Sequence, residues 1–261
     1  MTALAAGPPP LPRWPAHKVE RGQAAPLKPA LGFAVFLLAL PTCAAAQVGV
    51  SMSLATDARL RGLSLTDNSA ALALNLSYDH PSGFYAGGGL LGRAGFAAED
   101  REDDHRYVGH NEYLGYTAPL GSGRSWDVGV SNLAYTLDYE RRITLHYREV
   151  YVGVVQGDVS AHLYFAPDYP RRGLNSAYAD LNASHRFANV WRLTGHVGAH
   201  ERLGGTPERD GRRWRLDTQL GLAREFGKAE IDLAWTASGP KPLPHPDQSR
   251  PGFILAAKYF F

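Results

Sequence analysis

From residue 47 to the last residue, apolar side chains recur at every second position in one short segment after another, and no long stretch keeps the three-to-four spacing of a helix. Val48, Val50, Met52 and Leu54 alternate with Gly49, Ser51 and Ser53, and Leu72, Leu74, Leu76 and Tyr78 alternate with Ala73, Asn75, Ser77 and Asp79. The same alternation marks Trp126 to Val130, Val150 to Val154, Val159 to Phe165, Ala179 to Ala183 and Trp191 to Ala199. It returns at Trp214 to Leu222, at Ile231, Leu233 and Trp235, and at Phe253 to Phe261. With weaker strands near 84–91 and 107–118 the sum is about twelve. The chain reads as all-β, with one apolar face on every strand.

Alternation alone fits a water-soluble sandwich as well as a barrel in a membrane, and the connections separate the two. Short turns near 79–83, 119–124, 156–158, 188–190 and 226–229 alternate with longer loops near 55–69, 92–106, 137–148, 166–176, 200–212 and 237–252. Strict short-long alternation with both chain ends on the short side predicts a transmembrane up-and-down antiparallel β-barrel of about twelve strands, with short periplasmic turns and longer extracellular loops. Greek-key crossings give a sandwich no reason for that order.

Aromatic residues on the apolar parity divide in the same way. Tyr78, Phe84, Tyr116, Trp126, Phe187, Trp191, Tyr259 and Phe261 stand beside short turns or the terminus, and Phe165, Trp214, Trp235 and Phe253 stand beside long loops. These twelve are the expected lipid-interface girdles. The opposite parity is polar. Lipid-facing Arg or Lys at mid-membrane costs ~2–4 kcal/mol, so Glu149, Asp180, Arg186, Arg192, His196, Arg213, Arg215, Asp217, Glu230, Asp232 and Lys258 are expected to face inward as pore-lining candidates. Two places break the pattern: the apolar parity slips after Val130 toward Leu133 and Tyr135, and Glu112 shares the parity of Leu114 and Tyr116. A β-bulge or an early strand end is the expected repair.

The first forty-six residues read differently. An apolar run at 31–40 follows Arg13, Lys18, Arg21 and Lys28 and precedes Ala44, Ala45 and Ala46. This is the grammar of a cleaved secretory signal peptide behind a long Pro-rich leader (1–46), too short to span a membrane, with the barrel domain at 47–261. A lipoprotein reading through Cys43 is disfavoured by Pro41 and Thr42, where small residues are needed. Removing the segment leaves 23 basic and 24 acidic residues, so the slight basicity of the whole chain resides in the leader. The balance excludes a nucleic-acid-binding charge excess, and the one cysteine excludes a disulfide framework or thiolate metal site.

The stretch TDARLRGLSLTDNSAALALNLSYDH followed by PSGFYAG, residues 56–87, resembles the opening of the TorF-type porins, an outer-membrane β-barrel family. The matching positions are Arg61, Gly62 and Ser64 in an Arg-Gly-x-Ser loop, then Gly83, Phe84 and Tyr85 at a strand start, and Ala58 stands where that pattern has an aromatic residue. Residues 147–169, YREVYVGVVQGDVSAHLYFAPDY, are similar to the family's strand, Gly turn, strand and Asp-Tyr pattern. Lys258, Tyr259, Phe260 and Phe261 resemble the aromatic terminus of outer-membrane proteins generally. The resemblance implies a porin and specifies no solute.

Little else points to chemistry. His196 and His200 would lie about 13 Å apart on a strand, too far to share an ion. The acidic run Glu99, Asp100, Glu102, Asp103 and Asp104 lacks glycine-punctuated calcium spacing. Some barrels of this size hydrolyse lipids, yet Ser184 and His185, adjacent on a strand, face opposite ways. The expectation is therefore no enzyme, no metal and no cofactor. The chain is read as a Gram-negative outer-membrane porin, exported to the outer membrane of a diderm bacterium, for passive diffusion of small hydrophilic solutes through a narrow mixed-charge lumen. The alternative is a non-conducting structural or surface-interaction barrel acting through external loops such as 241–251, and a minor one is an outer-membrane lipid hydrolase with its Ser and His on different strands. Expected partners are outer-membrane lipid and lipopolysaccharide, with Arg209, Arg212 and Arg213 near its phosphates. Secretion and barrel-assembly machinery is a transient partner; nucleic acid is not.

Overall fold

The computed structural model describes residues 46–94, 107–138, 143–169, 172–205, 212–240 and 249–261. The leader, the acidic run at 99–104, Arg209 and the proline-rich stretch 241–248 lie outside the described residues. The strands are β1 (Gln47–Ala55), β2 (Arg59–Leu60), β3 (Leu63–Ser64), β4 (Ala71–Asp79), β5 (Phe84–Arg93), β6 (Tyr107–Gly121), β7 (Arg124–Asp138), β8 (Ile143–Gln156), β9 (Val159–Ala166), β10 (Ser176–Phe187), β11 (Trp191–Arg202), β12 (Trp214–Phe226), β13 (Ala229–Gly239) and β14 (Gly252–Phe260). Twelve of them close into one antiparallel barrel in chain order, with β1 sealed to β14, while β2 and β3 form a separate hairpin. Closure pairs every strand on both sides and leaves no edge, the condition for a β-structure to span lipid.

Alternation fixes which residues face out. Leu54, Leu76, Leu114, Val152, Leu163, Leu220 and Leu255 are more than half exposed on the outer wall, while their neighbours on the other parity, Ser53, Tyr113, Tyr151, His162 and Ala256, turn inward. The outer wall carries both rows of aromatic rings. Near the short turns, Phe84 and Tyr116 lie 4.8 Å apart between ring centroids, Tyr116 and Trp126 5.6 Å, and Tyr259 and Phe261 5.1 Å. Tyr78, Phe187 and Trp191 belong to that row, and Phe165, Trp214, Trp235 and Phe253 stand at the opposite ends of their strands. Arg224 stacks over Trp191 and Phe226 at the lower end, its charge carried to the rim on an apolar stem.

Three sequence expectations change. The loop expected at 137–148 is much shorter, because β7 runs to Asp138 and β8 starts at Ile143, paired through Asn132↔Arg148, Leu133↔Tyr147 and Tyr135↔Leu145. The expected bulge or strand end at Leu133 and at Glu112 does not exist; register shifts fall at Leu91/Gly92, Pro119/Gly121 and Thr136/Asp138 instead. Toward the long-loop end of β6–β8 the two faces exchange character. Leu133, Tyr135, Leu145 and Tyr147 point inward and are buried, and Glu112, Asn132, His146 and Arg148 point outward. Third, the loop at 55–69, expected outside, folds into the barrel.

The second and third changes share a cause. Ala58, Leu60 and Leu65 of the first loop pack against Leu91, Val108, Leu133, Tyr135 and Leu145 in one buried cluster. An inward apolar patch at this level would be unfavourable against water, and the loop's apolar side chains cover it.

Candidate functional site

The hairpin β2–β3 crosses the lumen from wall to wall. Its two-residue turn, Arg61–Gly62, has positive φ at both positions (50° and 75°), the mirror-image turn that suits tight hairpins. Glycine takes this conformation freely and arginine does so at a cost, so Arg61 is held there by its contacts. Arg61 Nη2 lies 2.6 Å from Glu149 Oε1 on β8, with both side chains about 1% exposed. Its guanidinium carbon sits 4.1 Å from the ring centroid of Tyr178, 5.4 Å from that of Tyr164 and 6.0 Å from that of Tyr147. Burial is the largest single influence and disfavours the charge, but Glu149 together with Tyr147, Tyr178 and Tyr169 outweighs it and keeps the Arg61 pKa above the ordinary arginine value. Although the ion pair is close, none of the three guanidinium nitrogens finds a well-directed hydrogen bond.

Gly62 reaches the opposite wall. The Ser238 hydroxyl on β13 donates to the Gly62 carbonyl at 3.0 Å, and a Cβ on Gly62 would fall 2.5 Å from Ser238 Cβ and 2.8 Å from Asp217 Cβ. The base of the hairpin is tied by Asp57. That carboxylate accepts from Arg59 Nε at 2.7 Å and from the Ser64 hydroxyl at 2.6 Å, and Arg59 Nη1 reaches the Arg250 carbonyl at 2.7 Å.

Below the hairpin a layer of buried tyrosines lies against the lumen wall. Three of the rings cover a glycine on the next strand: a Cβ on Gly115 would meet the Tyr85 ring at 2.2 Å, one on Gly129 the Tyr151 hydroxyl at 2.3 Å, and one on Gly198 the Tyr178 hydroxyl at 2.1 Å. The hydroxyls are pinned. Tyr85 donates to Asp127 Oδ1 at 2.6 Å and stands 2.7 Å from the Tyr151 hydroxyl, and Tyr178 donates to Asp217 Oδ1 at 3.1 Å. His162 Nε2 lies 3.0 Å from Asp127 Oδ2.

Glu149 and Asp180 face inward and are buried, the latter with its Oδ1 3.6 Å from His162 Nδ1. His196 bridges Asn182 at 2.7 Å and Asp217 at 2.8 Å. Nearer the short turns, Arg192 and Lys258 converge on Glu230, with Asp232 one inward step above, and Arg186 pairs with Glu225 at the rim. Arg215 faces inward beside His200. Arg213 lies ahead of β12 and is exposed, 3.0 Å from Glu201 on the outward parity, so it is a rim residue and does not line the lumen.

Sequence reasoning missed the inward tyrosines 85, 147, 151, 164 and 178. For Tyr85, Tyr151 and Tyr178 the available signal was a tyrosine on the polar parity near a glycine on an adjacent strand; Tyr147 and Tyr164 carry no such mark. Among the described residues no cluster of three or more His, Cys, Asp or Glu is arranged to hold a metal ion.

A family model matches residues 41–243, most of the barrel. The chain belongs to the Gcw_chp family. That family is described as a bacterial protein of unknown function, so membership brings no activity with it. No curated protein matches the chain in sequence. Among solved structures, the NanC porin superposes with a TM-score of 0.53 at 7% identity, over 82% of this chain and 100% of that one. The KdgM porin has a TM-score of 0.48 at 11% identity, over 82% and 99%. At such identities the likeness is one of fold: a closed twelve-strand barrel of the outer-membrane porin type.

Proposed function

We propose that this barrel is an outer-membrane channel through which small hydrophilic solutes diffuse passively, past a constriction formed by Arg61, Gly62 and the tyrosine layer. The observation that carries the reading is polar atoms turned to the lumen without a protein partner. Asp232 Oδ1 and Oδ2, Asp217 Oδ2, Arg215 Nε and Nη2, and His200 Nε2 all lie on the β11–β13 side. Buried groups of this kind need water or a solute. Lower down, Arg192 and Lys258 form ion pairs with Glu230.

Outer-membrane residence is supported by the apolar outer wall and its two aromatic rows, which suit a lipid band about 25 Å tall. The resemblance of residues 56–87 and 147–169 to the TorF-type porins supports the same function. Export by a cleaved leader, and contact of Arg212 and Arg213 with lipopolysaccharide phosphate, belong to this reading. No reaction is assigned, since Ser184 turns inward and His185 outward on β10.

The wall-to-wall span of the hairpin favours a second reading, a non-conducting barrel that works through its outer loops. Planar-bilayer conductance of the refolded mature chain separates the two, once heat-modifiable gel mobility confirms folding. Reproducible conductance steps with measurable ion selectivity are expected. A folded barrel that stays silent would replace the channel with the second reading.

A further inference from the structure

Among the described residues, a contiguous polar patch interrupts the apolar outer wall on β6–β8 between the two aromatic rows. Glu112, Asn132 and Arg148 are paired in register across three consecutive strands, all on the outward parity. Asn132 Nδ2 donates to Glu112 Oε2 at 2.8 Å, His110 Nε2 stands 3.3 Å from Glu112 Oε1, and His146 Nε2 lies 3.1 Å from Asn132 Oδ1. Arg148 has no hydrogen-bond or ion-pair partner among the described residues and is exposed. Glu112 stands four residues above Tyr116 of the lower aromatic row, about 10 Å along the axis of a barrel whose strands tilt roughly 40°. It therefore lies inside the apolar band. Elsewhere at this height the wall is Leu54, Leu72, Leu74 and Leu90. A groove beneath the patch is walled by Leu114, Val130, Val150 and Phe165.

We propose that this face of β6–β8 is a self-association surface, where a second copy of the chain docks about a two-fold axis parallel to the barrel axis. The register dictates the geometry. With the axis passing beside Asn132, each Glu112 on β6 meets the Arg148 on β8 of the other copy, and the two Asn132 side chains face each other. Strand tilt leaves Glu112 about 6 Å below Arg148, a gap within the combined reach of the two side chains. Each copy supplies one acid and one base, so the contact is self-complementary and closed, as a two-fold interface requires. A phosphorylated glycolipid fits less well, because Glu112 would sit among its phosphates. The inference needs the barrel to stand in lipid and does not need its lumen to conduct.

The test places single cysteines in the full chain carrying Cys43→Ser, expressed in a bacterial outer membrane and oxidised there. Asn132→Cys, or Ala134→Cys as a second probe on β7, should give a disulfide-linked dimer at least ten-fold more abundant than Leu233→Cys on the far wall. Glu112→Arg should cut that dimer several-fold, and adding Arg148→Glu should restore it. Heat-modifiable mobility shows that each variant has folded, and Glu112→Gln serves as the milder change should Glu112→Arg not fold. Equal cross-linking on both walls, or a charge reversal without effect, would overturn the proposal. So would a double reversal that restores nothing, or a monomer that carries phosphorylated glycolipid lost on Arg148→Glu. Conductance of the same preparations reports separately on the channel.

Discussion

Arg61→Ala removes one side of a buried ion pair at 2.6 Å and three ring contacts at once. Stripping one partner from a buried pair costs about 3–5 kcal/mol, because the remaining charge stays buried and uncompensated. Here that charge is Glu149, whose side chain is about 1% exposed. Nearly all of the cost falls on docking of the hairpin, since the barrel's own ladder does not involve residue 61. At about 1.4 kcal/mol per factor of ten, the undocked hairpin gains roughly two to four powers of ten in relative population. Single-channel recording should show the parent barrel with a small conductance and rare larger excursions, and Arg61→Ala with the larger level predominating. Glu149→Ala should reproduce the effect, and the double variant should fall well short of the sum of the two, as coupled partners do. If Arg61→Ala kept the parent's conductance and dwell times, the hairpin would not be the constriction.

Gly62→Val should displace the hairpin from the other wall, because its Cβ would overlap Ser238 and Asp217 at a positive φ. Trypsin added outside intact cells should then cut at Arg59 or Arg61 several-fold faster than in the parent. Gly198→Leu should push Tyr178 off its slot and break its bond to Asp217, lowering stability by about 2–4 kcal/mol and dropping the temperature of the heat-modifiable shift. Arg215→Glu should move ion selectivity toward cations while Arg213→Glu leaves it unchanged, since only the former faces the lumen; equal shifts in reversal potential would contradict that placement.

The strand pattern was legible because lipid on one side and polar lumen on the other impose the same alternation from Val48 to Phe261. It failed where a third environment intervenes. At Leu133, Tyr135 and Leu145 the inner face meets neither water nor strand but the folded-in hairpin, so parity inverted and looked like a broken strand. Arg61 carried no local mark of its destination, because its partners Glu149, Tyr164 and Tyr178 lie 88 to 117 residues away in sequence. The inward tyrosines were hidden similarly: Tyr85 and Gly115 become neighbours only through the β5–β6 register. Arg213 kept the lumen parity but lies just ahead of β12, where the ladder no longer dictates direction.

β1 leads straight into the hairpin. It pairs with β4 over nine positions but with β14 over only five, Ser51↔Phe260 to Ala55↔Ala256, and the first residue beyond it, Thr56, continues the join through its N–H to the Leu255 carbonyl at 2.9 Å. The stretch that shuts the cylinder and the stretch that fills it are thus one continuous piece of chain, with three residues between β1 and β2. During biogenesis the filler is made before any other wall strand, while its closing partner, β14, is made last. The seam can therefore be zipped only by bringing the newest strand to a segment already attached to the plug, and loosening the plug pulls first on the shortest ladder in that segment.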